Sequence, residues 1–307
     1  MPETFLTTRE VAAHLHINEK QVYQLIRRGG VPCTRVTGKW LFPLSLVEEW
    51  VKRSARERSA TRPSSVTERF GLDQGLLMAG SNDPLLDSAL ALFRRTFPEV
   101  LIYVANVGSL GGLEALNDGK AHVAVAHLRD PKTGEYNVPY LSQYFSPGDV
   151  VAVTLWRRRI GFIQRPGNGS FVQSFSDRRL RKRRFVNRQR GSGTRLLIDQ
   201  CLKDSSLKAS DLKGYETEAW THWEVGTRIA SGQADIGIAQ EAVARLLGLV
   251  FHKLTEERFD LVVRKEVYFS KPVQAWLEVL KSKELEPGAA SLGGYDLRDR
   301  GKIIHPN

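Results

Sequence analysis

The chain has 307 residues, 41% of them hydrophobic and 26% charged, with a formal net charge of +11. That balance excludes a disordered chain, no window approaches the roughly 20 apolar residues that span a bilayer, and two cysteines, Cys33 and Cys201, are too few for a disulfide framework or a zinc cluster. The start Met1-Pro2-Glu3-Thr4 has neither the basic nor the apolar block of a secretory leader, so the reading is a cytoplasmic protein without membrane contact, and the surplus positive charge points to a polyanionic partner.

The charge is densest at the start, where residues 1–70 hold 12 Lys and Arg against 7 Asp and Glu. Thr7 and Glu10 form a capping box ahead of Val11, Ala12 and Leu15, the apolar stripe of a short helix. Asn18 and Gln21 form a second box, opening a helix with Val22, Leu25 and Ile26 inward and Lys20, Gln21, Tyr23, Gln24, Arg27 and Arg28 outward. Two helices joined by the tight Ile17-Asn18 turn make a helix-turn-helix whose second member carries side chains suited to the base edges of double-stranded DNA. From Val31 to Phe42 an alternating segment broken at Thr37-Gly38 predicts a β-hairpin. Arg35 and Lys39 would face phosphates from it, while Trp40, Phe42, Leu46 and Trp50 close a small core with a third helix beginning at Pro43.

Residues 5–51, with Leu6-Thr7-Thr8, Val22-Tyr23 and Gly38-Lys39-Trp40, resemble the excisionase-type, MerR-like winged helix-turn-helix domain. Such modules bind short sites weakly as monomers, so the resemblance implies a homo-oligomer, a dimer or an array. The DNA-binding module is assigned to 1–52 and a basic linker to 53–73, with the Trp50 helix reaching about Ser59 if it continues into the basic strip.

Beyond Gly75, β-rich runs alternate with amphipathic helices: Leu76 to Ala79, Leu101 to Val107, His122 to Ala126, Val150 to Leu155, Arg184 to Asn187, Ala234 to Ala239 and Phe259 to Val263. This predicts an α/β architecture with mostly parallel sheets. Two stretches echo one another, Gly119-Lys120-Ala121-His122-Val123-Ala124-Val125-Ala126 and Gly232-Gln233-Ala234-Asp235-Ile236-Gly237-Ile238-Ala239. Each follows a helix with a hydroxyl at its predicted start, Ser109 and Thr221, the latter boxed by Glu224. The recurrence implies two similar lobes, with ligands held between them where strand carboxyl ends meet helix N-termini.

Arg190-Gly191-Ser192-Gly193-Thr194-Arg195, between a β-type segment and the apolar-periodic Leu196 to Leu202, carries the anion-binding chemistry. Backbone amides, hydroxyls and guanidinium groups converge there, and the spacing is not that of a Walker loop. The candidate ligand-binding residues are Ser81, Asn82, Ser109, Arg190, Ser192, Gly193, Thr194, Arg195, Thr221 and His222. His127 is a further possible donor. The seven histidines show no metal-ligand spacing, so neither a metal nor a cofactor is predicted. The run Arg178 to Arg184 reads as a solvated loop before the strand.

Residues 75–304 resemble the periplasmic-binding-protein-like domain found fused to helix-turn-helix modules and to molybdopterin-biosynthesis enzymes. The resemblance is carried by Gly80-Ser81-Asn82-Asp83, Arg184 to Arg195, Gly214-Tyr215, Thr221-His222, Glu257-Arg258-Phe259-Asp260 and Leu292-Gly293-Gly294-Tyr295-Asp296. Arg190 to Thr194 and Val125-Ala126-His127 are similar to stretches of molybdate- and tungstate-binding proteins, although the acidic-containing Ser-Arg-Gly-Asp loop of that group is missing. The implied fold is a winged helix-turn-helix followed by a two-lobed type II α/β binding domain. This domain covers 74–307, with lobe I at about 74–156 and 252–307 and lobe II at about 157–251. The implied function is a one-component transcriptional regulator that binds DNA and senses a small anionic ligand, molybdate or tungstate, as effector oxyanion. No nucleophile, base and orienting group stand together, so no catalysis is predicted. The alternatives are an organic anion or molybdopterin-related ligand, an architectural DNA-bending protein without ligand, and an accessory of cofactor biosynthesis.

Overall fold

In the computed structural model, which describes residues 4–27, 31–36, 38–59, 71–72, 75–167 and 171–304, the chain divides into two units, Met1–Ser65 and Val66–Asn307. The first unit runs β1 (Phe5–Leu6), α1 (Thr8–His14), α2 (Glu19–Arg27), β2 (Thr34–Val36), β3 (Lys39–Pro43) and α3 (Leu44–Ser59). Both capping boxes form. Glu10 accepts from Thr7 N–H at 2.8 Å and donates its own N–H back to Thr7 Oγ1, and Asn18 and Gln21 exchange equivalent bonds at 3.0 and 2.9 Å. Between the helices His16 takes φ +54°, which lets Ile17 N–H reach Ala12 O at 2.9 Å and closes α1 in a turn usually given to glycine.

The hairpin pairs Thr34 with Leu41 and Val36 with Lys39, and Gly38 turns it at φ +84°. Val11, Ala12, Val22, Val31, Phe42 and Val47 fill the core, with Trp40 and Trp50 against it. Leu46, expected in that core, is 47% exposed. The helix begins one residue later than predicted, at Leu44, so Val47 and Trp50, three apart, share the inward face and Leu46 turns out. Helix α3 extends to Ser59, and most of the remaining linker, 60–70 and 73, lies outside the described residues.

The second unit begins with β4 (Leu76–Gly80), α4 (Pro84–Thr96), β5 (Ile102–Asn106), α5 (Gly108–Asn117), β6 (Val123–Ala126), α6 (Val138–Tyr144) and β7 (Val150–Gln164). It continues with β8 (Phe185–Arg188), α7 (Gly193–Asp204), β9 (Glu218–Ala219), α8 (His222–Ala230), β10 (Ile236–Gln240), α9 (Glu241–Leu246) and β11 (Val250–Arg264). It closes with α10 (Lys265–Tyr268), α11 (Lys271–Lys281), α12 (Leu285–Leu292), β12 (Tyr295–Asp296) and β13 (Ile303–Ile304). The described strands form one sheet in the order β5-β4-β6-β11-β7-β10-β8-β9, with β12 and β13 on β7.

The pairs β4·β5, β4·β6, β8·β10 and β8·β9 are parallel. The expectation of mostly parallel pairing fails in the middle. There β7 and β11, fifteen residues each, run antiparallel from Val250↔Gln164 to Arg264↔Val150 and pass between the two lobes. Only their apolar ends were visible as strands, because Arg157-Arg158-Arg159 and Thr255-Glu256-Glu257-Arg258 interrupt the apolar runs. In the sheet these charges meet one another, Glu256 opposite Arg159 and Glu257 opposite Arg158, and the register shifts on both sides of the crossing, between Lys253 and Thr255 and between Phe259 and Asp260. Leu76, Phe93, Trp156, Phe259 and Trp276 centre the first lobe's core, and Ile160, Phe162, Phe185, Ile198 and Ile236 that of the second.

The internal echo is a shared turn. Helices α5 and α8 both end in a Schellman motif with glycine in the left-handed region, Gly119 at φ +68° and Gly232 at +79°. Lys120 N–H bonds Ala115 O at 2.8 Å and Gln233 N–H bonds Arg228 O at 2.9 Å. Each turn delivers the chain to a buried strand, β6 or β10, that lies beside one parallel and one antiparallel neighbour.

Candidate functional site

The carboxyl ends of β4, β6, β8, β9 and β10 supply a set of buried polar side chains. After β4, Ser81 Oγ lies 2.9 Å from Ser109 Oγ, and Ser109 Oγ accepts from His127 N–H at 3.2 Å just past β6. Ser109 is therefore not the cap of α5. That helix starts at Gly108 with Val107 at its cap position, and the serine ties together two strand ends. Asn82 is half-buried beside them.

At the crossing a buried ion network forms. Arg158 reaches Asp83 and Glu257, and Glu257 Oε1 lies 3.2 Å from His127 Nδ1. Asp83 also accepts from Leu85 N–H, Leu86 N–H and Tyr295 O–H, the first at 2.8 Å, capping α4. The Arg158 guanidinium sits 4.4 Å over the Phe259 ring. Both carboxylates are thus matched by Arg158 and its neighbours.

The second lobe contributes groups that are not matched. Arg188, the last residue of β8, is 1% exposed, and its Nε and Nη1 have no hydrogen-bond partner among the described residues. The same holds for Thr194 Oγ1, both ring nitrogens of His222 and the side-chain amides of Gln189 and Gln240. Burial, and then the charge of Arg158, push the Arg188 guanidinium down to about 9, which leaves it a cation at neutral pH. Burial, followed by Arg188 and Arg158, holds His222 well below the usual imidazole value, and burial also lowers His127, so both rings are neutral there. The two rings lie 6.4 Å apart, one from each lobe.

The lobes touch directly at this point. Leu110 N–H bonds Gly191 O at 3.2 Å, and a Cβ on Gly193 would stand 2.6 Å from His127 O. The two lobes are therefore in contact at the Gly191–Gly193 turn. Each unmet buried group costs about 1–3 kcal/mol, and a cation more. An anion would answer the donors of this set, Arg188 Nε and Nη1 first, but not the amide oxygens or the unprotonated nitrogen of His222, which are acceptors.

The structure brings Ser81, Asn82, Ser109, Ser192, Gly193, Thr194, Thr221 and His222 to this region but assigns them different work. Ser192 Oγ accepts from Arg195 N–H at 3.2 Å and donates to Gln189 O, and Thr221 Oγ1 accepts from Glu224 N–H at 2.9 Å, so these hydroxyls cap α7 and α8. The Glu224 carboxylate completes its cap on Trp220 N–H rather than on Thr221.

Arg190 and Arg195 are not brought into this set. Gly191 at φ +81° turns the chain so that Arg190 is 78% exposed beside Glu216 and Glu218. Arg195 lies over the Tyr215 ring and bonds Glu218, Asp199 and Arg188 O, a cation already satisfied. Arg188, Gln189, Gln240, Arg158 and Glu257 were not among the candidates. For Arg188 the available signal was its place as the final residue of a parallel strand.

In the first unit Lys20, Gln21, Tyr23, Gln24, Arg35 and Lys39 are exposed. Gln21 holds the α2 cap, and Arg35 folds back to Gly38 O and the Trp40 ring. The Arg27 side chain and Arg28 lie outside the described residues.

Comparison with known proteins agrees with this architecture. Residues 90–281 match the PBP superfamily domain and residues 5–55 a helix-turn-helix domain. The chain belongs to the PBP superfamily. Uncharacterized protein YvgK of Bacillus subtilis is similar over 301 residues, 97% of each chain, at 27% identity. Among solved structures, a putative phosphate ABC transporter substrate-binding protein with bound phosphate from Clostridium perfringens superposes with a TM-score of 0.56 at 16% identity, over 71% of this chain and 98% of that one. A reduced form of OxyR from N. meningitidis gives 0.51 at 16% identity, over 73% and 97%. These likenesses establish the two-lobed fold. Among the described residues, no helix is long and apolar enough to cross a membrane.

Proposed function

We propose that the chain is a DNA-binding regulator whose second unit closes on a small oxyanion, with molybdate or tungstate as the effector. The observation that carries this reading is Arg188, a buried cation with two unpartnered nitrogens at the end of β8, together with the unpartnered Thr194 hydroxyl, His222 ring and Gln189 and Gln240 amides at the neighbouring strand ends and helix starts. A tetrahedral oxyanion accepts several hydrogen bonds and carries the opposite charge, so it complements this set better than a neutral molecule does. The exposed face of α2 and the hairpin, with Lys20, Tyr23, Gln24 and Lys39, is the surface for double-stranded DNA. Regulation then follows from differential binding: the anion stabilises the closed second unit, and in a homo-oligomer this alters how paired α2 helices meet DNA.

Titration calorimetry of the full chain against molybdate, tungstate, sulfate and phosphate tests the ligand. Phosphate is included because the Clostridium perfringens relative was solved with it bound. The expected result is saturable binding of molybdate or tungstate, abolished in Arg188→Met. Heats indistinguishable from dilution for every anion overturn the reading. Its regulatory half fails if affinity for DNA is the same with and without saturating molybdate.

A further inference from the structure

The basic run ahead of β8 takes no part in the cleft, and its structure is fixed from beneath. Leu180 is fully buried in the second lobe's core. Asp177 accepts from Arg179 N–H at 2.9 Å and pairs with its guanidinium, which also donates to Phe171 O at 2.9 Å. Arg184 is held by Asp235 at 2.7 Å and by Gly232 O at 2.8 Å. The two nearby carboxylates are therefore occupied by two arginines that support the turn.

Arg178–Lys182 forms a 3-10 helix rather than the loop expected from composition. In that helix residues three apart eclipse, separated by roughly 6 Å at about 2 Å of rise per residue. Arg178 and Arg181 consequently stack on one side, with Lys182 adjacent to Arg181 in the turn. All three are exposed, and among the described residues none has a carboxylate within ion-pair distance. Stacked like charges are unfavourable unless a counter-charge lies outside the chain. Their separation is about twice the 3.4 Å axial step between phosphates on one DNA strand.

We propose that this turn is a second contact surface for double-stranded DNA, gripping phosphates without reading sequence. The inference rests on the reading that the first unit binds DNA. It adds that the ligand-binding unit contributes to the grip. A duplex suits the turn better than an acidic protein does, because the same chain carries a DNA-reading element and Arg178 and Arg181 stand about two phosphate steps apart.

The test is the salt dependence of binding of the full chain to a long mixed-sequence duplex, followed by fluorescence anisotropy from about 50 to 200 mM salt. Each phosphate contact contributes about 0.9 to the slope of log K against log salt. The variant Arg178→Ser/Arg181→Ser/Lys182→Ser is expected to lower the slope by about 2–3 and to weaken binding alike on every sequence, and Arg181→Ser alone to lower it by about 1. A control, Lys132→Ser/Lys265→Ser/Lys283→Ser, removes the same charge from exposed first-lobe positions and should leave the slope unchanged. An unchanged slope in the first variant, an equal fall in the control, or displacement by polyglutamate as efficient as by DNA overturns the proposal. Absence of duplex binding by the unsubstituted chain overturns the DNA-binding reading as well, so the two failures are told apart.

Discussion

Arg188 keeps a charge where charge is disfavoured, and two of its nitrogens have nothing to donate to among the described residues. Without a guest it works against the fold. Methionine, of similar length and apolar, removes the penalty. Arg188→Met should therefore raise the thermal midpoint of the free chain by the equivalent of about 1–3 kcal/mol while abolishing anion binding. A less stable variant that still binds anions would show that the guanidinium is structural. Sequence reasoning chose Arg190 and Arg195 instead because they flank Gly-Ser-Gly. Choosing between four arginines in a dozen residues required knowing where β8 stops and that Gly191 diverts the chain, and both are facts of backbone conformation.

At the scale of elements, several helix starts were readable because their signals are local, whereas Ser109, read as a helix start, ties strand ends together instead. The boxes at Thr7/Glu10 and Asn18/Gln21 and the caps at Ser192 and Thr221 all form within four residues. The crossing strands were not readable, since Arg157 to Arg159 suit a sheet only when Thr255 to Arg258, about a hundred positions later, lie opposite. The packing of α7 on the first lobe was equally hidden. Gly193 serves there as a spacer: any side chain would meet His127 O and Nδ1 at 2.6–2.7 Å. Gly193→Ala should wedge the lobes apart and weaken oxyanion binding about 5–150-fold, as about 1–3 kcal/mol of overpacking implies, without loss of helix by circular dichroism. Undiminished affinity would place the guest elsewhere.

For the molecule as a whole, the division into two units separates what each partner can stabilise. The first unit, whose core holds six buried apolar side chains among the described residues, has little to bury, and the second has several cores. Scanning calorimetry should resolve two transitions, with molybdate at about 100 times its Kd adding about 2.7 kcal/mol to the larger one only. That corresponds to a rise of roughly 5–11 °C for a unit of this size. A single transition that moves as one with ligand would show that the units unfold together.

The polypeptide enters the second unit through β4 and leaves it through β13, and both strands are stitched to the first lobe, β13 at Ala152 and Val153 of β7. The other lobe is consequently a pendant, spliced into its neighbour by two strands and with no peptide route of its own to the helix-turn-helix unit. Anything that shifts that pendant passes on through β7 and β11, through the contacts of Gly191 and Gly193 with the first lobe, or through the pendant's own outer skin. The cationic turn at Arg178–Lys182 rides on that skin.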